Sequence, residues 1–422
     1  MALADNYKNN AHMEIPDIQI QKLIAKELDR QRSQIVLIAS ENYTSMEVMN
    51  ATGSVLTNKY AEGYPGDRYY EGCQIYDEVE DLAIKRCNEL FNSNFCNVQP
   101  HSGVQANTAV FLGILNCNDH ILSMNLRDGG HLSHGHKQNL TGKYFEVFTY
   151  SADPETEMID YENVKKIARI ARPKLIIAGA SSYSRTIDYT KFREIADEVG
   201  AFLMADIAHV AGLIAGGVHP SSVGIADFTT ATTHKTLRGP RGGLIIADKK
   251  YSGMINKSVF PGIQGGPLMN TIAAKAVCFN EALQPSFKEY AKRIVENSKV
   301  LCAYLKDRGF RIVSGGTDNH LFLIDLTNMG LTGYEASETL ASAGIILNKN
   351  VIPYDTLNPN ITSGIRIGTP SVTTLGMGTE EMYKIGEFIT FALMNRENKP
   401  AIADLAVRVK KLAGDFPVYP YM

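Results

Sequence analysis

The residues best suited to covalent chemistry lie in one short run. Residues 232–243 read TTHKTLRGPRGG, which places Lys235 among hydroxyl and imidazole side chains, and the apolar residues LIIA follow at 244–247. Glycines and a proline break regular structure, so we expect a tight turn next to a buried strand. A partly desolvated lysine loses its proton more readily, and the neutral amine can form a Schiff base with a carbonyl. The alternative is a basic surface loop.

A carboxylate that could serve the same ligand is Asp206. It follows the apolar segment 201–205, and His209 comes three residues later. Ligands of open α/β sheets bind at the carboxyl ends of the strands. Pyridoxal phosphate needs an amine for its aldehyde and a carboxylate that keeps its ring nitrogen protonated. Asp206 could instead be a helix N-cap.

A phosphate site is predicted where Ser102 and Gly103 open a helical run, because hydroxyl and backbone N–H groups there can bind an anion. The glycine-rich loop 260–267 offers further backbone donors. The alternatives are that Ser102 is only a helix N-cap and that residues 260–267 form only a turn. Residues 131–136 read HLSHGH without the acidic partner of a zinc motif. We therefore expect no metal, and a histidine ring lying over a planar cofactor.

Two further segments suit a small polar substrate. Residues 60–72 read YAEGYPGDRYYEG, which excludes a regular helix and sets tyrosine hydroxyls on a loop. Arg366 lies alone in an apolar, strand-like run. A buried arginine needs a carboxylate partner, which is either the substrate's, held bidentately, or an internal Asp or Glu.

The elements around these residues predict an α/β architecture. Short apolar runs at 121–124, 175–178, 201–205 and 244–247 alternate with helical patterns, which indicates βαβ units around a mostly parallel sheet. Residues 268–308 are helical with one interruption near Pro285, and strands are expected at 310–313 and 320–326. We therefore predict two α/β domains joined by a long helix.

Composition narrows the class of protein. The chain has 422 residues, 44% of them hydrophobic and 21% charged, with a net charge of -3. These values are typical of a large globular enzyme and give no basic field for nucleic acid and no polybasic membrane face. The first residues lack the pattern of a signal peptide, no apolar stretch reaches the ~20 residues of a membrane span, and the six cysteines form no CxxC pair. We expect a cytoplasmic protein.

Taken together, these segments resemble the serine hydroxymethyltransferase family of fold-type I pyridoxal phosphate enzymes. The resemblance extends from about residue 15 to 410 and is carried by LIASENY at 37–43, TNKYAEGYPG at 57–66, DIAHVAGLI at 206–214, the run around Lys235, GGTDNH at 315–320 and TSGIRIGTP at 362–370. It implies a helical N-terminal arm over residues 1–60, a large cofactor-binding domain with a mostly parallel seven-stranded sheet over 61–284, and a small C-terminal α/β domain over 285–422.

The resemblance also implies roles for individual residues. Lys235 would carry pyridoxal 5'-phosphate as an aldimine, with His234 beside it, and Asp206 would bind the ring nitrogen. The other cofactor-binding positions are Ser102 and Gly103 at the phosphate, His131 on the ring, Ser181 and His209 near the phenolic oxygen, and Tyr60 and Gly266 from a neighbouring subunit. Arg366 and Ser40 would bind the substrate carboxylate, and Glu62 of the neighbour, with Tyr70 close by, would be the acid/base group. Leu126, Gly130, Leu132 and Asn350 resemble the folate-binding positions.

The implied reaction converts L-serine and tetrahydrofolate to glycine and 5,10-methylenetetrahydrofolate in a homodimer with shared active sites. The alternatives are a threonine aldolase, which does not need the folate positions, and a catalytically silent scaffold or RNA-binding homologue. Two positions depart from the family pattern. Val104 stands where serine is common, and Arg127 stands where alanine or proline is usual.

Overall fold

The computed structural model describes residues 17–421. Residues 1–16 of the predicted arm, and residue 422 of the predicted small domain, therefore lie outside the described residues. The α-helices, in chain order, are α1 Ile18–Ser33, α2 Met46–Thr52, α3 Gln74–Phe91, α4 Gly103–Ile114, α5 Leu140–Tyr144, α6 Tyr161–Ala171, α7 Tyr189–Val199, α8 Ala211–Ala215, α9 Ser252–Lys257, α10 Met269–Ala282, α11 Pro285–Asp307, α12 Gly333–Ser342, α13 Pro370–Thr374, α14 Thr379–Met394 and α15 Lys399–Gly414.

The strands are shorter and fall into two main groups along the chain. They are β1 Ile35–Val36, β2 Gly63–Tyr64, β3 Asp67–Arg68, β4 Cys96–Asn97, β5 His120–Met124, β6 Glu146–Tyr150, β7 Leu175–Gly179, β8 Phe202–Asp206, β9 Phe228–Thr232, β10 Gly243–Ala247, β11 Arg311–Ile312, β12 Leu321–Asp325, β13 Ile345–Ile346, β14 Asn348–Asn350 and β15 Gly364–Gly368.

A seven-stranded sheet organises the first part of the chain, in the order β4-β10-β9-β8-β7-β5-β6. The five strands β6, β5, β7, β8 and β9 run parallel to one another. Strand β10 is antiparallel to both β9 and β4. The five residues LIIAG of β7 are all buried, as expected for a strand covered by helices on both faces. The predicted seven-stranded, mostly parallel sheet is confirmed.

A second, antiparallel sheet of four strands lies in the C-terminal part, in the order β11-β12-β15-β14. Arg366 is the central residue of β15 and pairs with Leu323 of β12 and Asn348 of β14. The N-terminal segment also joins this part, because β1 pairs in parallel with β13.

The long helical connector is interrupted between α10 and α11, at the predicted Pro285. Helix α11 contributes Phe287 and Ile294 to the core of the large sheet, and Leu301 and Leu305 to the core of the C-terminal part. The domain boundaries given above stay predictions. Within residues 17–421, no helix combines the length and the apolar character that a bilayer span requires.

Candidate active site

Most of the predicted site residues line one cavity of about 590 Å³. They come from the carboxyl ends of the parallel strands, from the start of α4 and from β14 and β15, so both sheets contribute. This is the edge at which open α/β sheets bind their ligands. The predicted residues along the cavity wall are Ser40, Ser102, Gly103, Leu126, Gly130, His131, Leu132, Ser181, Asp206, His209, His234, Lys235, Asn350 and Arg366.

Lys235 lies in residues 233–242, the lysine loop, which connects the antiparallel neighbours β9 and β10. The loop is closed by hydrogen bonds from the Gly239 amide to the Thr233 carbonyl (2.7 Å) and from the Thr233 amide to the Gly242 carbonyl (3.1 Å). The Thr236 hydroxyl donates to the carbonyl of His209 at 2.9 Å. The predicted turn next to a buried strand is therefore present, and the basic surface loop is not.

The ammonium of Lys235 is held away from water, because the residue is only 9% exposed. Burial lowers the pKa of Lys235 to about 8; the Asp206 carboxylate opposes this change, and the guanidinium groups of Arg366 and Arg241 reinforce it. A lysine with a pKa near 8 has a substantial neutral fraction at physiological pH, and the neutral amine is the nucleophilic form.

Asp206 is the last residue of β8, and a network fixes its carboxylate. Its Oδ2 accepts hydrogen bonds from His134 Nε2 and Asn107 Nδ2, both at 2.8 Å, and its Oδ1 accepts from the Ala208 amide at 3.0 Å. Thr230 Oγ1 donates to Asn107 Oδ1 at 2.6 Å and so orients the amide. Burial alone would raise the pKa of Asp206, but the hydrogen bond and charge of His134 hold it well below its ordinary value. The carboxylate is therefore ionised.

The predicted phosphate position is the N-terminus of α4. Ser102 is the N-cap, and its hydroxyl accepts a hydrogen bond from the Gln105 amide at 3.2 Å. Gly103 is needed for close packing, because a Cβ there would lie 2.6 Å from Thr232 Cγ2. Val104 is 39% exposed and turns a side chain without hydrogen-bonding groups toward the cavity, so the phosphate contact that a serine could make is missing.

Three histidines of the cavity, His131, His209 and His234, are held neutral. Burial lowers the pKa of His131 to about 4 and that of His234 to about 3. His209 is buried and stacks on His320, with 3.2 Å between Nδ1 of His209 and Nε2 of His320. Burial lowers the pKa of His209 as well. Neutral imidazoles can lie against a planar ring or share a proton with it without adding positive charge.

Arg366 is a buried cation on the cavity wall. Its Nη1 donates to the Ser181 carbonyl at 2.7 Å and its Nε to Asn348 Oδ1 at 3.1 Å. Within residues 17–421 no Asp or Glu carboxylate forms a salt bridge with Arg366, so the alternative of an internal partner is not what the structure has. Burial lowers the pKa of Arg366 to about 10. A buried cation of this kind is a site for an incoming carboxylate.

The mouth of the cavity carries the predicted folate positions. Leu126 and Leu132 expose 43% and 51% of their surface there, and Asn350 ends β14 beside them. Arg127 is exposed at the same rim, and its guanidinium donates to the backbone carbonyl of Asp355. This contact ties the loop after β5 to the loop after β14.

The remaining predicted residues lie outside this cavity. Tyr60, Glu62, Tyr70 and Gly266, here called the hairpin patch, gather around the β2–β3 hairpin and the loop 264–266. The rings of Tyr60 and Tyr70 are 5.7 Å apart, and a Cβ on Gly266 would lie 2.9 Å from the Tyr60 ring. Tyr60 is 62% exposed and Tyr70 49%. The patch therefore lies at the surface of the chain, outside the cavity that contains its own Lys235.

Sequence reasoning missed residues that hold others in place. Asn107 and His134 bind Asp206, yet neither was assigned a role, although both lie within segments singled out for other residues. Glu41, Thr232 and Arg241 also line the cavity. Residue type gave no signal for these contacts, because each depends on the tertiary approach of separate segments.

The cavity fits pyridoxal phosphate. It offers a buried amine of lowered pKa, an ionised carboxylate anchored on three donors, and a helix N-terminus for a phosphate group. The amine suits an aldehyde, the carboxylate suits a protonated ring nitrogen, and the backbone N–H groups suit an anion.

A comparison with protein families supports the same cofactor. The model of the family described as serine hydroxymethyltransferase matches residues 13–389, which is most of the chain. This family consists of fold-type I pyridoxal phosphate enzymes, and the mixed seven-stranded α/β sheet agrees with that fold. The chain therefore belongs to the serine hydroxymethyltransferase family, as a pyridoxal phosphate-dependent transferase that interconverts serine and glycine with tetrahydrofolate as co-substrate.

Proposed function

We propose that the cavity around Lys235 is where this chain transfers the hydroxymethyl carbon of L-serine to tetrahydrofolate. The observation that carries the assignment is the meeting of Lys235, Asp206 and Arg366 in one cavity, where Arg366 forms no salt bridge with a carboxylate of residues 17–421. Pyridoxal phosphate supplies a protonated ring that accepts the electrons released when a bond at the amino acid's α-carbon breaks. Lys235 would hold the aldehyde, Asp206 the ring nitrogen, and Ser102 with Gly103 the phosphate.

The protein's own groups orient the amino acid. Within residues 17–421, Arg366 donates hydrogen bonds through Nε and Nη1, which leaves Nη2 for a substrate carboxylate. Ser40 lines the same cavity. Fixing the carboxylate decides which bond of the α-carbon stands perpendicular to the cofactor ring. The ionised Asp206 would keep a proton on the ring nitrogen, and His131 would contact the ring. Ser181 and His209 would bind the phenolic oxygen.

We also propose that Glu62 acts as the proton-transfer group of the neighbouring subunit's site, in a homodimer. The hairpin patch lies outside its own cavity and exposes two tyrosine rings, which supports a role toward a second chain. Tyr60 and Gly266 would then reach the neighbour's phosphate, and Tyr70 would lie beside Glu62. In this arrangement neither subunit has a complete site alone.

Mixing two inactive variants tests the shared site. Lys235→Ala and Glu62→Gln are each expected to be inactive as purified homodimers. Co-expressed with separate tags, they form a hybrid in which one site carries both defects and the other carries neither. The isolated hybrid is expected to recover about half of the wild-type activity per dimer. A hybrid as inactive as its parents would show that Glu62 acts in its own chain.

The assignment of the reaction is tested by the dependence of serine cleavage on tetrahydrofolate. We expect glycine formation from serine to rise strongly when tetrahydrofolate is added, because Leu126, Gly130, Leu132 and Asn350 would bind it at the cavity mouth. If the rate of serine cleavage does not change when tetrahydrofolate is added, a threonine-aldolase activity would be favoured. Lys235→Ala serves as the control, and it should lack the visible absorbance of the lysine-bound cofactor.

A cytoplasmic location completes the proposal. Its support is that the cysteines between residues 17 and 421 are all unpaired, and five of them are buried. Unpaired thiols are typical of proteins in reducing compartments.

A further inference from the structure

A second buried lysine has no part in the chemistry proposed above. Lys275 lies in the middle of α10 and is 1% exposed. Its Nζ donates hydrogen bonds to the backbone carbonyls of Val98 at 2.6 Å, Pro100 at 3.0 Å and Gly243 at 2.8 Å. These bonds occupy the three donors of an ammonium group. Within residues 17–421, no carboxylate forms a salt bridge with Lys275.

The three carbonyls belong to the two backbone segments on which the active site depends. Residues 98–103, here called the phosphate segment, end at the N-cap Ser102 and at Gly103, the first residue of α4. Gly243 is the first residue of β10 and follows directly on the lysine loop. The Gly243 amide donates to the Pro100 carbonyl at 3.0 Å, so the two segments also touch each other at this point.

The fit around the ammonium is close. A Cβ on Gly242 would lie 2.4 Å from Lys275 Cε, and a Cβ on Gly243 would lie 2.3 Å from the Ser102 carbonyl oxygen. Burying an unpaired charge is unfavourable, and burial lowers the pKa of Lys275 to about 7, whereas the three accepting carbonyls favour the ammonium form. An apolar side chain would fill the same volume without that cost, but it could not bind three carbonyls at once.

We propose that Lys275 is a positioning residue whose ammonium aligns the phosphate segment with the exit of the lysine loop. The inference rests on the proposed assignment of Ser102 and Gly103 to the cofactor phosphate. Without the ammonium, the carbonyls of Val98, Pro100 and Gly243 lose their common donor, which weakens the alignment of the phosphate segment with the lysine loop even though the Gly243–Pro100 hydrogen bond remains. The loss therefore falls on binding of the phosphate group more than on the fold.

The test compares Lys275→Met, which fills the volume, with Lys275→Ala, which leaves room for a small cation. Dissociation constants of pyridoxal phosphate and of pyridoxal are measured on the apoproteins, and folding is followed by circular dichroism and urea. Both variants are expected to bind pyridoxal phosphate about tenfold more weakly or worse, with a smaller loss for pyridoxal. Ammonium or methylammonium ions should restore binding in Lys275→Ala, and should change neither Lys275→Met nor the wild type.

A matched control is Cys278→Ala, one turn further along α10. Cys278 is buried and its thiol contacts the carbonyl of Leu237 in the lysine loop at 3.4 Å, so this variant disturbs the same packing without removing a charge. It should bind pyridoxal phosphate normally and ignore ammonium ions.

Three results would overturn the proposal. They are wild-type affinity of Lys275→Met for pyridoxal phosphate, equal losses for pyridoxal and pyridoxal phosphate, and failure of both variants to fold, since Lys275 would then serve the fold as a whole. A wild-type protein that binds no pyridoxal phosphate would instead remove the assignment of the site itself, so the two failures are distinguishable.

Discussion

Lys235 shows how much of this site's chemistry is set by the surroundings of one side chain. An ordinary lysine is almost fully protonated at neutral pH, but the burial of Lys235 lowers its pKa to about 8. Asp206 limits this effect, since its carboxylate favours the ammonium form. The balance leaves an amine that is reactive near neutral pH while it remains inside the protein.

Competitive labelling of the apoprotein with trace acetic anhydride should report this pKa directly. Only the neutral amine reacts, so acetylation of Lys235, counted by mass spectrometry after digestion, should reach half its maximum near pH 8. The exposed Lys399 provides an internal reference for reactivity. A Lys235 midpoint near the ordinary lysine value of about 10.4 would contradict the effect of burial.

Arg366 supports a second prediction at the same scale. Arg366→Ala should weaken glycine binding by about 2–5 kcal/mol, because the substrate carboxylate would lose a desolvated partner. Glycine is titrated against the absorbance of the bound cofactor. Arg366→Lys keeps the charge but not the planar guanidinium, so its glycine affinity should lie between those of the wild type and Arg366→Ala. Unchanged glycine affinity in the alanine variant would exclude Arg366 as the carboxylate site.

Residue types alone could identify Lys235, Asp206 and Arg366 as candidates, since each places a charge in an apolar or glycine-rich context. They could not identify the groups that hold them. His134 and Asn107 reach Asp206 from the loop after β5 and from α4, and only the packing of α4 on the sheet brings them together. Whether Arg366 pairs with an internal carboxylate was likewise a question that sequence left open.

At the scale of single elements, the β2–β3 hairpin depends on one buried ion pair. Arg68 donates to Glu80 at 2.7 Å and to Asp77 at 2.8 Å, with the side chains of Arg68 and Glu80 only 4% and 1% exposed. Arg68 also donates to the carbonyls of Ala61 and Gly63, on either side of Glu62. The tyrosine- and glycine-rich run was correctly predicted not to be a helix, but the arginine that shapes it was not singled out.

Arg68→Met should lower the free energy of unfolding by about 3–5 kcal/mol, because it leaves the Glu80 carboxylate buried without a cation. Urea denaturation at fixed protein concentration measures this loss. The double variant Arg68→Met/Glu80→Met removes both charges and should be more stable than the single one. A single variant with the wild-type midpoint would mean that the pair adds nothing to the hairpin.

At the scale of the whole molecule, apolar side chains are exposed along residues 55–82, the segment that includes most of the hairpin patch and the first half of α3. Val55, Tyr69 and Ile75 expose 63%, 72% and 61% of their surface, and Leu82 exposes 40%. Ile75 and Leu82 are seven residues apart on α3, so they lie on one face of the helix. Exposed apolar side chains that share one helix face are typical of an interface between protein chains.

Ile75→Glu/Leu82→Glu should therefore shift the protein toward monomer in sedimentation velocity at micromolar concentration, with loss of activity in parallel. The matched control is Ile170→Glu on α6, where the isoleucine is 82% exposed. That variant should sediment like the wild type. If the Ile75→Glu/Leu82→Glu variant also sediments like the wild type, α3 does not contribute to the proposed dimer.

The overall architecture was more predictable than the contacts that join distant segments of the chain. The family resemblance implied seven strands, whereas alternation of apolar strands with helical patterns predicted only a mostly parallel sheet and further strands after α11, without their antiparallel pairing. This alternation could not predict that β1 pairs with β13, or that α11 serves two cores, because such contacts join segments far apart in the chain. Local periodicity carries no information about them.

The hydrogen bonds that close the lysine loop have a consequence for the lifetime of the catalytic machinery. Loops usually open locally at low free energy, while sheets open only with the global fold. Here both ends of a ten-residue loop are strands of the central sheet, and its turns are bonded internally and to the His209 carbonyl. Amide exchange around Lys235 should thus be as slow as in β9 itself, and heat should abolish cofactor binding and the fold at one temperature.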